Sequence, residues 1–407
     1  MLIRRIAAMA GLPLVAVLES CAYFMGLTML TMLLQDDLGM DVETASGMHS
    51  WLQSISLGAL FLGGLLAAGT GPLITLILGI ALSVVGFALL PFMDASLVMV
   101  PVVVLALGQG LKRPSLWAAA AQPFGFPREN LRSVSILLSY IGFNLGALVA
   151  SPLAQAVRDA AGTRVVLFVA AGLMALAAVL AAGVGAAWLV RRDQVAREQE
   201  APRPAQGRVL LGAAVLAVLA FLPTLCWQRS WDLQMNVLHG LEGHMSWDLF
   251  FAINPSVVIT VGFLLAAILG GLHVARVRLP AMALVGLGLL LLGLGTAPLL
   301  LPGIGATLPA LLASAAVLSF GEVLAIPFFT SRLVGDVHGR LAPLLVAVWI
   351  ALTGGGSQLL AWLSDSGALP YLRPVTGWVG VGSGLLCGLA LLIAAFLLQR
   401  RLYEPQA

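Results

Sequence analysis

The length of its apolar runs is what first limits how this chain can fold. Twelve stretches, at roughly 10–34, 44–69, 72–92, 96–121, 131–157, 165–190, 209–237, 246–273, 279–300, 305–333, 341–364 and 374–399, are each apolar enough to cross a bilayer as a helix, and a crossing takes about 20 residues. Soluble domains carry about 25% charged residues. Here the figure is 10%, beside 60% hydrophobic residues and a mean hydropathy of +1.02. The period-two alternation of a membrane barrel is absent. The chain therefore reads as an all-α membrane protein with twelve transmembrane helices. Its 45 glycines and 21 prolines are tolerable in such helices, because neighbouring helices re-satisfy freed backbone groups.

The arginines set the orientation. Fifteen fall in one set of loops and three, Arg158, Arg164 and Arg373, in the opposite set. Basic residues accumulate on the cytoplasmic side, so both termini are expected there. The first apolar run continues past Glu19 to Leu34 with no small-residue cleavage site, and it is read as a crossing helix and not as a signal peptide. Cys21, Cys226 and Cys387 lie in separate runs and suggest neither a disulfide framework nor a metal site. A polar stretch at 191–208, "RRDQVAREQEAPRPAQGR", separates six runs from six. It reads as a cytoplasmic linker with room for a short surface helix, between bundles at 1–190 and 209–407.

The halves echo each other. "GQGLKRP" at Gly108–Pro114 and "GEVLAIP" at Gly321–Pro327 share a Gly-x5-Pro frame 213 residues apart, and the same offset carries Gly142 onto Gly355 and Glu19 onto Asp232. Six plus six helices in a parallel repeat resembles the plan of the major facilitator superfamily, in which the substrate lies near the bilayer midplane between the halves. Ionisable groups at that depth are costly and normally face a cavity or a partner. The apolar runs hold Glu19, His49, Lys112 (the only lysine), Arg113, Arg229, Asp232, Asp248 and Glu322. Arg229 and Asp232, three apart, share a face and suit an internal ion pair; His49 and Asp248 sit near run ends. Lys112 and Arg113 are about 100° apart around a helix, so one of them is expected to point into the pathway.

Gly108–Gln155 resembles helices 4 and 5 of the proton-dependent oligopeptide transporter family. Its G-x-G-L-F-K-P-N element is matched by Gly108, Gly110, Leu111, Arg113 and Pro114, and its Y-x-G-x-N-L-G-A element by Tyr140, Gly142, Asn144, Leu145, Gly146 and Ala147. "FAINPSVVI" resembles the helix 8 N-P element through Asn254 and Pro255. "SFGEVLAIPFF" resembles the helix 10 G-E-V-L-x-x-P element through Glu322, and "WDLQM" the W-x-L-Q piece of helix 7. The resemblance implies that Glu322 receives a peptide's amino terminus, and that Arg113 or Lys112 faces its carboxylate. It implies that Asn144 and Asn254 bond the peptide backbone, with Tyr23, Gln228 and Trp231 completing the site and Glu19 coupling proton movement. Read from charge alone, a cationic site in one half and an anionic site in the other also suit a zwitterion.

The departures from that family are specific. Its helix 1 motif E-x-x-E-R-F-x-Y-Y-G is represented by "AVLESCAYFM", where only Glu19 and Tyr23 survive and Ser20 stands for the arginine. The Asp and basic cluster after helix 2 is replaced by "LLAAGTGP", helix 7 has no clear acidic counterpart, and 191–208 is too short for the two extra helices of many bacterial members. The expected function is a secondary active transporter resembling proton-coupled di- and tripeptide symporters. The alternatives are a facilitator-fold carrier or exporter of another small zwitterionic or amphiphilic solute with weak or no proton coupling, and a non-transporting membrane receptor or assembly partner. No phosphate loop, metal-ligand cluster or nucleophile elbow suggests an enzyme, and no cofactor is expected beyond protons as coupling ion. The expected partners are a small peptide or similar zwitterion and the lipid bilayer, with no nucleic acid. The expected form is a monomer, multi-pass in a cell membrane of the bacterial inner-membrane kind.

Overall fold

Each apolar run forms one helix. The computed structural model describes residues 7–124, 129–189, 206–241, 243–277, 279–336, 341–365 and 372–403. Among them lie twelve α-helices: α1 Leu12–Met32, α2 Val42–Thr70, α3 Pro72–Leu89, α4 Met99–Ala121, α5 Glu129–Ala161, α6 Thr163–Leu189, α7 Gln206–Gly240, α8 Trp247–Val274, α9 Ala281–Leu300, α10 Leu308–Asp336, α11 Ala342–Asp365 and α12 Leu372–Tyr403. Ten of them meet a strict standard of length and apolar content for crossing a membrane. The other two are α4 and α7, the helices that carry Lys112 with Arg113 and Arg229 with Asp232. In α4 the polar residues Gln109, Lys112 and Arg113 lower the mean hydropathy.

Local signals set the helix starts. The Asp41 side chain accepts from Thr44 N at 2.8 Å and opens α2; Ser246 does the same for α8 through Leu249 N at 3.3 Å. Each satisfies a backbone N–H that the first turn leaves without a partner. Between α2 and α3 the chain reverses on Gly71 at φ +99°, a conformation glycine adopts without strain, and Pro72 follows at the first helical position.

By internal contacts the chain forms two compact units. One comprises Met1–Arg128, Leu138–Pro202 and His338–Ala351; the other comprises Glu129–Leu137, Arg203–Val337 and Leu352–Ala407. Of the stretch read as a linker, 191–205 lies outside the described residues, and Gln206–Arg208 begin α7.

Inside the first unit, small residues carry the packing. Residues two apart on a helix point to opposite sides, and "GQG" exploits this. A Cβ on Gly108 would meet Gly79 O of α3 at 2.7 Å, whereas one on Gly110 would meet the backbone of Ala59 in α2. The two glycines thus seat α4 against two neighbours at once, at the close approach that small residues permit in membranes. Gly142 and Gly146, one turn apart on α5, do the same against Pro13 and Val17–Cys21 of α1. The second unit repeats the first contact, with Gly321 of α10 against Gly288 O of α9 at 2.9 Å. Substituting Gly110 by valine should lower the melting temperature in detergent by several degrees, since overpacking costs about 1–3 kcal/mol. The same change at Gly58, which has nothing within 4 Å, should leave it unchanged. Equal melting curves for the two variants would refute this role for "GQG".

Candidate functional site

Among the described residues, each unit holds a polar cluster that includes residues singled out from sequence. In the first, α4 turns Lys112 inward and Arg113 outward. Lys112 is 1% exposed, and its Nζ is ion-paired with the Glu19 carboxylate of α1, itself 4% exposed. Nζ also lies 5.4 Å from the centre of the Tyr23 ring. Among the described residues it has no hydrogen-bond partner beyond the carboxylate, and the neighbouring Gln109 Nε2 has none either. Glu19 is therefore what neutralises an ammonium sealed from water. Arg113, one residue and 100° further round, is exposed. Of the two cations, one is committed to the helix 1 carboxylate and the other is displayed.

The local packing also accounts for the altered helix 1 motif. Ser20 is fully buried, and its Oγ is the atom a Cβ on Gly146 would strike. A side chain much larger than serine would push α1 and α5 apart. Asn144, the other residue implied on α5, donates to Tyr140 O at 3.0 Å, within its own helix. Tyr140 packs its ring 5.7 Å from that of Trp117.

In the second unit, α8 aims Asn254 at Glu322 of α10. The Asn254 amide donates to Glu322 Oε2 at 2.7 Å and to Ser319 Oγ at 3.0 Å. Ser319 in turn donates to Ala315 O at 2.6 Å, fixing its own rotamer. The carboxylate is thus held by an amide that is itself held. Beside it lies a small cavity of about 10 Å³, walled by Trp227, Trp231 and Phe250, with Ser230, Gln234 and Asn254 as polar lining. Gln234 is tied to Ser314 at 3.2 Å.

Of the residues singled out from sequence, Lys112, Glu19 and Tyr23 come together in one cluster, with Arg113 displayed beside it. Glu322, Asn254 and Trp231 come together in the other. Gln228 is half-buried and is not among the residues lining the cavity; Trp227, Ser230 and Gln234 are. With Trp231, these three sit at i, i+3, i+4 and i+7, one helical face, and that spacing was readable in the sequence. Arg229 and Asp232 are ion-paired within α7. Among the described residues no His, Cys, Asp and Glu side chains cluster to hold a metal, and Cys21, Cys226 and Cys387 are free thiols.

Solved structures of similar fold include several described as peptide transporters or POT family transporters. The chain is similar to the POT family transporter PepTSo at 16% identity and a TM-score of 0.60, over 98% of this chain and 99% of that one. It is similar to a peptide transporter POT variant at 17% and 0.60, over 96% and 95%. To a POT family transporter in complex with 5-aminolevulinic acid the figures are 18% and 0.59, over 96% of each chain. At such identities the likeness is one of fold. No curated protein sequence matches the chain. The family model of the Major Facilitator Superfamily, however, matches residues 12–340. That span reaches from the first residue of α1 past the end of α10 and takes in both polar clusters. With twelve helices, a structural echo between its halves and charge kept at membrane depth, this multi-pass membrane transporter belongs to the Major Facilitator Superfamily.

Proposed function

We propose that the chain is a secondary active transporter of di- or tripeptides or of a closely similar small zwitterion, coupled to protons through Glu19. The observation that carries this reading is that the two units bear poles of unlike charge. One unit displays the Arg113 guanidinium beside a neutralised Lys112–Glu19 pair; the other presents a Glu322 carboxylate oriented by Asn254. A guanidinium is a planar fork suited to a carboxylate, and a carboxylate suits an ammonium. The carriers of similar fold are named for peptides, and one is described with 5-aminolevulinic acid, itself an amine with a carboxylate. The arginine bias of the loops supports cytoplasmic termini in a cell membrane of the bacterial inner-membrane kind, with the monomer as working unit.

Coupling follows from the isolation of Lys112. A proton arriving on Glu19 removes the charge that neutralises the buried ammonium, so the protonated pair favours whichever state gives Lys112 another partner. Ligand and proton then bias one two-state equilibrium. One observation favours a second reading, a carrier with weak or no coupling: the family's helix 1 arginine is here Ser20, sealed against Gly146.

Uptake of labelled dialanine into proteoliposomes, with and without an inward proton gradient, tests both. Gradient-dependent accumulation is expected. Arg113→Lys should lower apparent affinity about tenfold with an unchanged melting temperature, since the residue is exposed, and should not affect a dipeptide amide that lacks the carboxylate. No dialanine transport in a folded preparation would end the peptide reading. Gradient-independent equilibration would favour the uncoupled one.

A further inference from the structure

Gln109 is a buried amide for which neither polar cluster has given a use. It is 4% exposed, and its Nε2 has no hydrogen-bond partner among the described residues. A buried donor without an acceptor costs a protein its whole desolvation penalty. A leucine in that place would avoid the cost, so the amide calls for a task that this arrangement does not yet employ.

Its direction is fixed by the seat of α4. A Cβ on Gly79 of α3 would meet Gly108 O and Lys112 N, each at 2.8 Å. In the second unit a Cβ on Gly288 of α9 would meet Gly321 O at 2.8 Å and Ala325 N at 2.5 Å. These are the same two backbone atoms, carried on by the 213 residues that relate the sequence halves. Each helix is therefore rotated alike within its own unit, and Gln109 has the place in α4 that Glu322 has in α10. The two side chains are buried to a similar degree, at 4% and 6% exposed. Glu322, however, is served by the Asn254 amide, whereas the Gln109 nitrogen ends blind.

What stands beside Gln109 suggests its task. Lys112 is three residues on and shares its face of the helix. The ammonium has three donors and one carboxylate partner, Glu19. A terminal amide carries an acceptor as well as donors, and half a turn about its last bond exchanges them. That half turn offers Lys112 a carbonyl oxygen from one helical turn away. Among the described residues, the charged and titratable groups facing this stretch are Glu19 and Tyr23 of α1 and Arg113 of α4 itself. The helices α2, α3 and α5 meet it through Ala59, Gly79 and Gly146.

We propose that Gln109 is a positioning residue for Lys112: its carbonyl oxygen takes up the ammonium when Glu19 is neutral, and its amide stands idle while Glu19 is charged. The inference rests on the reading of Glu19 as the proton-bearing group and not on which solute is carried.

Melting curves in detergent test it, with Glu19→Gln standing for the neutral carboxyl. In the wild-type background Gln109→Leu should leave the melting temperature unchanged or raise it, since an idle buried donor is removed. In the Glu19→Gln background the same substitution should lower it by several degrees, since Lys112 then loses its remaining partner. An equal effect in the two backgrounds would overturn the proposal. Should Glu19→Gln fail to fold, the exchange Glu19→Gln/Gln109→Glu provides the second measurement. It carries the same side chains in swapped places, so it should fold and melt close to the wild-type temperature. An exchanged protein no more stable than Glu19→Gln places residue 109 out of reach of Lys112 and ends the inference. Where dialanine accumulates under a proton gradient, Gln109→Leu should cut that accumulation severalfold, and full accumulation counts against the assignment. Absence of dialanine uptake ends the peptide reading instead, and the melting curves still decide this one.

Discussion

Glu19→Gln lowers the stability of the folded protein by about 3–5 kcal/mol, the loss typical when one partner of a buried ion pair is removed and the other is left uncompensated. The structure makes this a severe case, because Lys112 is sealed from water and has no hydrogen-bond partner beyond that carboxylate. Lys112→Met in the wild-type background should cost less, since a lone buried carboxyl can take up a proton and become neutral. Combining the two substitutions should restore most of the stability lost in Glu19→Gln, because no uncompensated charge is then left buried. Melting curves in detergent for the four proteins give the coupling directly. If Glu19→Gln melts at the wild-type temperature, or if the two losses simply add, the pair is not what neutralises Lys112. The coupling scheme would then lose its basis.

The other large effect is expected at the opposite pole. Glu322→Gln keeps an oxygen to accept from Asn254, so the packing of α8 on α10 should survive, but it removes the charge that an ammonium would meet. Losing one side of a desolvated charge pair costs about 2–5 kcal/mol, so dialanine affinity should fall roughly a hundredfold with an unchanged melting temperature. An N-acetylated dipeptide, which has no ammonium, should bind both proteins equally and weakly. Wild-type affinity for dialanine in a folded Glu322→Gln protein would remove this residue from the site and with it the zwitterion argument.

Asn254 shows why a motif and a structure answer different questions. The N-P element places it on α8, and resemblance assigns it to the peptide backbone. The structure has its amide already shared between Glu322 and Ser319, so its first task is to orient the carboxylate. Asn144 is similar, with its amide turned back onto Tyr140 O. Trp227, Ser230 and Gln234 went unnamed because polar residues from Thr224 to His239 lie on every side of α7 and do not mark one face. In lipid a helix needs no polar outer face, so hydropathy does not point to the inward side.

The sequence by itself determined the number of helices, because a bilayer of fixed thickness imposes a length that apolar runs either meet or do not. It also determined which helices hold charged groups within apolar runs, groups too costly there to be incidental, and it determined the repeat, through glycines and prolines at a constant offset. Only the tertiary structure decided which way each group points. Neighbours on a helix are separated by a known angle, but the rotation of the whole helix is set by the glycine contacts of Gly108 and Gly110 with α3 and α2. That rotation, and nothing in "GQGLKRPS" read alone, commits Lys112 to Glu19 and leaves Arg113 displayed. Arg132, which donates to Ser331 Oγ of α10, is another case. Its partners lie about two hundred residues away in the chain, and packing alone brings them together.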